Sequence, residues 1–459
     1  MINLTAAEFA KIVSGQLHQI AESTIINQEP VINSKNAHKN SFFVAFVGEK
    51  ADGHNFVAEA IALGSKFALV SKSVTEPHIL VADPGKALID LAIFLRSKLS
   101  ELKVVGITGS QGKTTTKEFL HSILKLEGET VATDGNFNTE IGVPLTLLRC
   151  NEQTQFCILE MGARHSGDIA KLTKLAKPSV GVVLVVGTAH LGEFGSVIEI
   201  ANTKAELITN LPTNATAVLG NYDTYTPKMA DALELKKIFF GENQNVRAAD
   251  LEMQGGYAHF DLVTPAGRNS VSLQVLGEHQ VPNALAAAAA AFALGVDNEN
   301  IAVGLTTAVL NSKWRMQIEA LNGVHLIHDY YNANPESMTA ALKSLILLSQ
   351  ESGGASWAVL GKMHELGTFE QAAHKEITAF ARKLGVDHLL SAATDLYLDG
   401  RDQSDSEHML LHNCPNPESV LKLVNNLSVG DVILLKASRS ERFEELATLI
   451  KAQLMGDLE

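Results

Sequence analysis

KVVGITGSQGKTTTKEFLHSIL (residues 103–124) decides the reading of this chain. An apolar strand-like run leads into a glycine-rich turn, and a helical pattern follows. Glycines at 106, 109 and 112 flank Thr108, Ser110 and Gln111 and lead directly into Lys113, Thr114 and Thr115. Such a turn lets backbone N–H groups point inward at phosphate oxygens, while the next helix presents its positive end. Lys113 is placed to reach the outer phosphates of a nucleotide, and the Thr114 hydroxyl to help hold Mg²⁺. Ile107 stands where the strict G-x-x-x-x-G-K-[ST] pattern has its first glycine. A glycine turn followed by Lys-Thr by chance is the bland alternative; the flanking strand and helix favour ATP.

Outward from this loop, FCILEMG (156–162), VGVVLVV (180–186) and TAVLG (216–220) read as further strands separated by helices or loops. That alternation predicts a mostly parallel sheet. It closes on a helix through Asn283–Leu294, whose six alanines Ala286–Ala291 suit close packing, and another near Glu299–Val309. Upstream, SFFVAFVG (41–48) and FALVS (67–71) read as strands, and AAEFAKIVSG (6–15) and NFVAEAIALG (55–64) as helices ending in glycine. A helix over Ala87–Leu99 bridges to the loop unit. Downstream of Trp314, HLIHD, WAVLG, HLLSA and DVILLKAS alternate with the amphipathic stretches ESMTAALKSLILL and EQAAHKEITAFARKL. The expectation is an α/β protein of three domains: 1–99, a central ATP-binding unit at 100–313, and a Rossmann-like α/β unit at 314–459. A length of 459 residues agrees, at roughly 150 per domain.

Composition excludes several classes. Lys and Arg total 37 against 51 Asp and Glu, a net charge of −14, which argues against sequence-independent nucleic-acid binding. With 46% hydrophobic and 19% charged residues the chain is not of disordered type. Cys150, Cys157 and Cys414 form no disulfide framework and suit a reducing cytoplasm. The N-terminal stretch lacks a signal-peptide pattern, and the longest apolar run, Ala284–Leu294, is too short to span a bilayer. A soluble, cytoplasmic monomer with no membrane insertion is expected.

Lys204 poses a separate problem. On a helix over 197–211, Val197, Ile200, Ala201, Leu207, Ile208 and Leu211 form one apolar face. Lys204 projects from its middle, with Glu199, Asn202, Thr203, Glu206 and Asn210 placed opposite. An ammonium there must snorkel or meet a partner.

GITGSQGKTT, TDGNFNTEIGVPLTLL (133–148), LEMGARHSGDI (159–169), GTAHLGEFGS (187–196), NTKAEL (202–207), LGEHQVPNALAA (276–287), HDYYNANPESM (328–338), VLGKMHELG (359–367) and LLKASRSERFEE (434–445) resemble, in order and spacing, motifs of the Mur ligase family. The resemblance spans nearly the whole chain. It implies an ATP-dependent amide ligase that joins D-alanyl-D-alanine to UDP-N-acetylmuramoyl-tripeptide through an acyl phosphate. Another amino-acid ligase of the superfamily, or a non-catalytic ATP-binding scaffold, are the alternatives.

Residue by residue, the resemblance implies ATP contacts by Thr108, Gly109, Ser110, Gln111, Gly112, Lys113, Thr114 and Thr115. Asn283 would touch the adenine, while also being able to cap its helix. Arg315 would reach the γ-phosphate and Asp329 lie near the nucleotide. Mg²⁺ would be held by Thr114, Glu160, His190 and a carbamylated Lys204. Lys113, Glu160, His190, Lys204 and Arg315 would carry catalysis. Ser34, Lys35, Asp52, Gly53 and His54 would bind the uridine nucleotide, and Asn136 and Asn138 the muramyl-peptide end. Asn332 and Asn334 are either turn residues or organise the D-alanyl-D-alanine side. The chain departs from the family pattern at Lys35, Thr139, Trp314, His328, Tyr330, Lys362 and Ala437.

Overall fold

The computed structural model describes residues 1–189, 191–398 and 409–456. The N-terminal unit is built on β1 (Gln16–His18), β2 (Glu29–Val31), β3 (Ser41–Val44), β4 (Ala68–Val70) and β5 (His78–Leu80). They lie in the order β1-β5-β4-β3-β2, parallel except where β1 meets β5. Helices α1 (Ala6–Ile12) and α2 (Val57–Ala62) flank it, and α3 (Pro84–Lys98) starts at Asp83, whose carboxylate accepts from the Gly85 and Lys86 amides. The apolar side of α3 does not stop at this unit. Leu88, Leu91 and Leu95 belong to one core with Leu147, Leu159 and Ile169 of the next.

The central sheet is parallel throughout: β6 (Lys103–Thr108), β7 (Thr130–Ala132), β8 (Phe156–Glu160), β9 (Val180–Val183), β10 (Thr216–Gly220) and β11 (Lys236–Phe240), in the order β11-β10-β9-β6-β8-β7. The chain works toward one edge after β6 and toward the other after β8. The crevice beyond the carboxyl end of β6 is therefore a switch point, where ligands of open α/β sheets bind. Helices α4 (Lys113–Leu124), α5 (Gly142–Leu147), α6 (Asp168–Ala176) and α7 (Val197–Thr209) surround the sheet.

One part of this unit departs from the expected alternation. Residues 247–276 form an antiparallel meander, β12 (Arg247–Gln254), β13 (Tyr257–Thr264) and β14 (Gly267–Leu276). Its sequence carried the signal: Ala258, Phe260 and Leu262, between the Gly255-Gly256 and Ala266-Gly267 turns, and Val271, Leu273 and Val275, after the second turn, are buried every second residue. Helices α8 (Gln280–Ala293) and α9 (Asn298–Thr306) follow, and all six alanines of Ala286–Ala291 are fully buried.

The C-terminal sheet is mixed. It contains β15 (Gln317–Leu321), β16 (Val324–His328), β17 (Ser356–Leu360), β18 (His388–Ala392), β19 (Leu410–Cys414) and β20 (Val432–Lys436), in the order β15-β16-β20-β17-β18-β19, with only the β15–β16 hairpin antiparallel. Helices α10 (Pro335–Ser352), α11 (Glu370–Leu384), α12 (Pro417–Val424) and α13 (Phe443–Met455) cover it. No described helix is long and apolar enough to cross a membrane.

Candidate active site

The phosphate loop leaves β6 at the switch point. Gly109 (φ +156°) and Gly112 (φ +83°) take backbone angles that side chains rarely adopt, and Lys113 opens α4. A Cβ on Gly112 would lie 2.1 Å from the Asn283 side-chain oxygen. The loop is thus pressed against α8. Asn283 does not cap that helix; His279 holds the N-cap position without a side-chain cap, and Asn283 sits inside the helix, donating to Gln280 Oε1 at 2.9 Å. The Lys113 ammonium folds back on Gly109 O at 2.7 Å. Burial lowers its pKa, Glu160 pulls it back up, and Arg315 pushes it down. Ser110 ties the loop sideways: its Oγ accepts from the Gly187 amide at 2.8 Å. Thr108 and Thr115 are buried, and Gln111 is exposed.

Glu160 ends β8 and is 2% exposed. Thr114 Oγ1 donates to its Oε2 at 3.3 Å. Its Oε1 is buried without a hydrogen-bond partner among the described residues, and Lys117 Nζ lies 3.9 Å away. Lys117, one turn beyond Lys113, donates to Thr133 O at 2.9 Å. The sequence reading passed over it, although KTTTK places both lysines on one helix face.

Lys204 is buried on α7, and so is Thr203, which the helical projection had placed on the polar side. Desolvation lowers the Lys204 ammonium pKa to about 7, with the charge of Lys113 adding to the shift. His190 lies outside the described residues.

From the C-terminal side, Arg315 and Thr114 line one cavity of about 280 Å³, together with Lys117, Asp134, Gly135 and Tyr331. The Arg315 guanidinium lies 4.1 Å from the centre of the Tyr331 ring, and its Nε has no hydrogen-bond partner among the described residues. A larger crevice, about 720 Å³, is also bordered by Trp314 and Arg315 but by no residue of the loop. Trp314, in a position where the family pattern has glycine, holds φ +62°. Its ring stacks on Tyr330 (5.5 Å) and under Arg439 (4.5 Å). Asp329 is held by Lys436, whose buried Nζ is 2.7 Å from Oδ2, and accepts from the Met316 amide at 3.3 Å. Burial lowers the pKa of nearby His279 to about 4; Asp329 opposes that shift and Lys436 adds to it.

Residues 107–291 match the profile of the Mur ligase middle domain, and 314–439 that of the family's glutamate ligase domain. The UDP-N-acetylmuramoyl-tripeptide–D-alanyl-D-alanine ligase of Mycobacterium tuberculosis is 36% identical, with 98% of each chain covered. The chain belongs to the Mur ligase family. The ligase of the same description from Bacillus subtilis is 32% identical over 97% of this chain and 98% of its own. The crystal structure of MurF from Acinetobacter baumannii superposes with a TM-score of 0.87, at 33% identity, covering 98% and 99% of the two chains. MurF ligase from Thermotoga maritima in complex with ADP gives a TM-score of 0.79, at 31% identity, over 94% and 99%.

The remaining predicted residues of this Mur ligase fall into two groups. In the N-terminal unit, Asp52 caps the single turn Gly53–Phe56, accepting from the His54 amide at 3.0 Å. Its carboxylate also meets His54 Nδ1 (2.5 Å) and Lys72 Nζ (2.6 Å), which hold its pKa well below the usual range. Gly53 has no room for a side chain: a Cβ would lie 2.7 Å from Phe46 O. Ser34 is buried and Lys35 exposed in a neighbouring turn capped by Asn33. Near the loop, Asn138 packs on Gly162, while Asn136 is exposed beside the cavity-lining Gly135. Asn334 is spent on structure, since it caps α10 in a reciprocal box with Ser337. Asn332 is exposed, and its carbonyl accepts from Lys436 Nζ at 3.0 Å.

A divalent cation is implied by the family; among the described residues no three His, Cys, Asp or Glu side chains gather to hold one, and the oxygen pair that fits a cation is Glu160 with Thr114. Glu160 Oε1 is a buried acceptor beside the Thr114 hydroxyl with no hydrogen-bond partner among the described residues; the Lys117 ammonium at 3.9 Å is an ion-pair neighbour too long to satisfy it, which leaves a lone pair for a ligand.

Proposed function

We propose that this Mur ligase joins D-alanyl-D-alanine to UDP-N-acetylmuramoyl-tripeptide in the cytoplasm, as a monomer, at the expense of ATP. The carrying observation is the meeting of Thr114 of the phosphate loop and Arg315 of the C-terminal unit around one cavity, with Glu160 accepting from Thr114 and the buried Lys113 ammonium within electrostatic reach of both Glu160 and Arg315. The tripeptide's terminal carboxylate attacks the γ-phosphorus, giving an acyl phosphate and ADP. The dipeptide amine then attacks the acyl carbon and expels phosphate, losing a proton as the amide forms. Two anions have to meet in the first step, so alignment and charge neutralisation dominate the barrier. The loop amides and Lys113 hold the phosphates, Arg315 faces them from the C-terminal unit, and Asn283 borders the loop where the base would lie.

Thr114, Glu160, His190 and a carbamylated Lys204 are the residues that would hold Mg²⁺, which supplies charge neutralisation at the phosphates. Carbamylation needs a neutral amine: Nζ adds to the carbon of CO₂ and releases a proton, turning a buried cation into an anionic ligand. Ser34, Lys35, Asp52, Gly53 and His54 are assigned to the uridine nucleotide, with Asn136 and Asn138 toward the peptide. Asn332 lies near the acceptor; Asn334 acts there by holding α10 in place.

The test is phosphate release from ATP with UDP-muramyl-tripeptide, with and without D-alanyl-D-alanine. Dipeptide-dependent release is expected, together with a product heavier by one dipeptide residue pair. Turnover that ignores the dipeptide but responds to another amino acid would reject this acceptor. Replacing Arg315 by Ala is expected to lower kcat by about 100-fold or more, the scale for loss of a charged transition-state contact.

A further inference from the structure

An acidic residue in the first turn of a helix ordinarily needs no further explanation, because it complements the helix dipole. Glu336, in the first turn of α10, does more. Its Oε1 leaves the C-terminal unit and accepts two hydrogen bonds from Thr188 of the central unit, from the amide at 2.8 Å and from Oγ1 at 2.9 Å. The contact is close: a Cβ on Gly187 would sit 3.0 Å from that same oxygen. Gly187 in turn donates its amide to Ser110 Oγ at 2.8 Å, and Ser110 donates its own amide to Val185 O at 2.9 Å. Two sets of hydrogen bonds, joined through the Gly187–Thr188 peptide bond, therefore connect the C-terminal unit, by way of the segment after β9, to the phosphate loop. The unit that supplies Glu336 also supplies Arg315 to the cavity at Thr114.

We propose that Glu336 is a positioning residue, a latch that couples docking of the C-terminal unit to the conformation of the phosphate loop. When the units meet, the carboxylate fixes Thr188 and Gly187, and Gly187 fixes Ser110 within the loop. When they part, both Thr188 donors lose their acceptor. Because the coupling is reciprocal, nucleotide seated in the loop favours the docked arrangement by the same factor that docking favours nucleotide. The role in turnover rests on the ligase reading above, in which Arg315 has to be delivered to the phosphates.

The test compares full-length wild type with Glu336→Ala, Glu336→Gln and Thr188→Val. Each is measured by ATP affinity, kcat and KM for ATP, and small-angle scattering with a non-hydrolysable ATP analogue. Glu336→Ala is expected to lose about 10- to 100-fold in kcat/KM for ATP and to scatter as a more extended particle. Glu336→Gln keeps a carbonyl oxygen for both donors and should stay within about threefold of wild type. Thr188→Val keeps only the amide donor, so it should fall between them, and should cost nothing further when added to Glu336→Ala. A Glu336→Ala enzyme with wild-type scattering and kcat/KM overturns the latch. So does a Gln variant as damaged as Ala, or a Thr188→Val effect that simply adds. Should the Ala variant fail to fold, the graded losses of Gln and Val decide. If wild type shows no dipeptide-dependent turnover, the ligase reading fails, and ATP affinity with scattering still tests the latch.

Discussion

The Lys204 side chain sits where an amphipathic projection puts it, in an apolar stripe, and the structure supplies what the projection lacks: burial deep enough to bring its pKa to about 7. An unfolded lysine titrates near 10.4. Between those values the unfolded chain binds more protons, so the Lys204 contribution makes stability rise with pH from about 7 to about 10.5. Below pH 7 both states are protonated and the full cost remains, up to about 5 kcal/mol from 3.5 pK units. In carbonate-free buffer, Lys204→Met is therefore expected to melt higher than wild type at pH 6–7, with the gap narrowing toward pH 10. A gap that is constant in pH would show the ammonium to be solvated. At pH 7 about half the side chains are neutral and open to CO₂, so added bicarbonate should raise wild-type turnover and leave the Met variant inactive. Other residue-scale features were only half legible. Trp314 and Tyr330 look like two separate departures from the family pattern, yet they are one stacked pair. Their packing, with Arg439, holds a non-glycine residue in the left-handed conformation that glycine would adopt freely.

At the scale of elements, the parallel sheets could be read because each strand is a short apolar run and each helix carries a 3.6-residue period. The meander 247–276 is masked in the sequence by the βα alternation around it, although its two-residue period is present. What no local pattern reveals is which distant side chains an element brings to the loop. Lys117, Lys436 and Glu336 are set by partners up to 148 positions away, and only the packed sheet order places them. Helix α8 shows how tightly that packing is specified. Alanines let it lie against α4 with the Asn283 oxygen in contact with Gly112, so its small side chains set the depth of the loop. On an exposed helix, Ala288→Leu would be nearly neutral. Here the added carbons have nowhere to go, and a loss of about 1–3 kcal/mol is expected by denaturant unfolding, with a raised KM for ATP as α4 shifts. Ala288→Gly should cost about 1 kcal/mol through backbone entropy while leaving that KM nearly unchanged. Equal KM values in the two variants would mean that α8 does not position the loop.

For the molecule as a whole, the count of three α/β units follows from length and alternation, but their mechanical relation does not. The N-terminal and central units share one apolar core that runs from Ile2 to Ala230, with α3 packed on α5 and α6. The C-terminal unit has its own cores, reaching the central unit chiefly through Leu276 and Tyr257. Across that boundary the described contacts include polar ones that break without exposing apolar surface: Glu336 to Thr188, the Gly192 amide to Glu365 O, and the Gly255 amide to Glu351. Parting the first two units would expose leucines at about 25 cal/mol per Å², whereas parting the third mostly exchanges protein hydrogen bonds for water. Motion should therefore be confined to the second boundary. The chain is suited to the measurement, since Cys150, Cys157 and Cys414 are all buried and leave introduced surface cysteines as the reactive thiols. A label pair at Glu22→Cys and Lys171→Cys spans the shared core, and one at Lys171→Cys and Lys375→Cys spans the polar boundary; all three sites are exposed. Adding ATP analogue and UDP-muramyl-tripeptide should leave the first distance fixed and change the second. A change in the first would mean that the shared core is not one rigid body, and no change in either would leave the latch residues without a motion to govern.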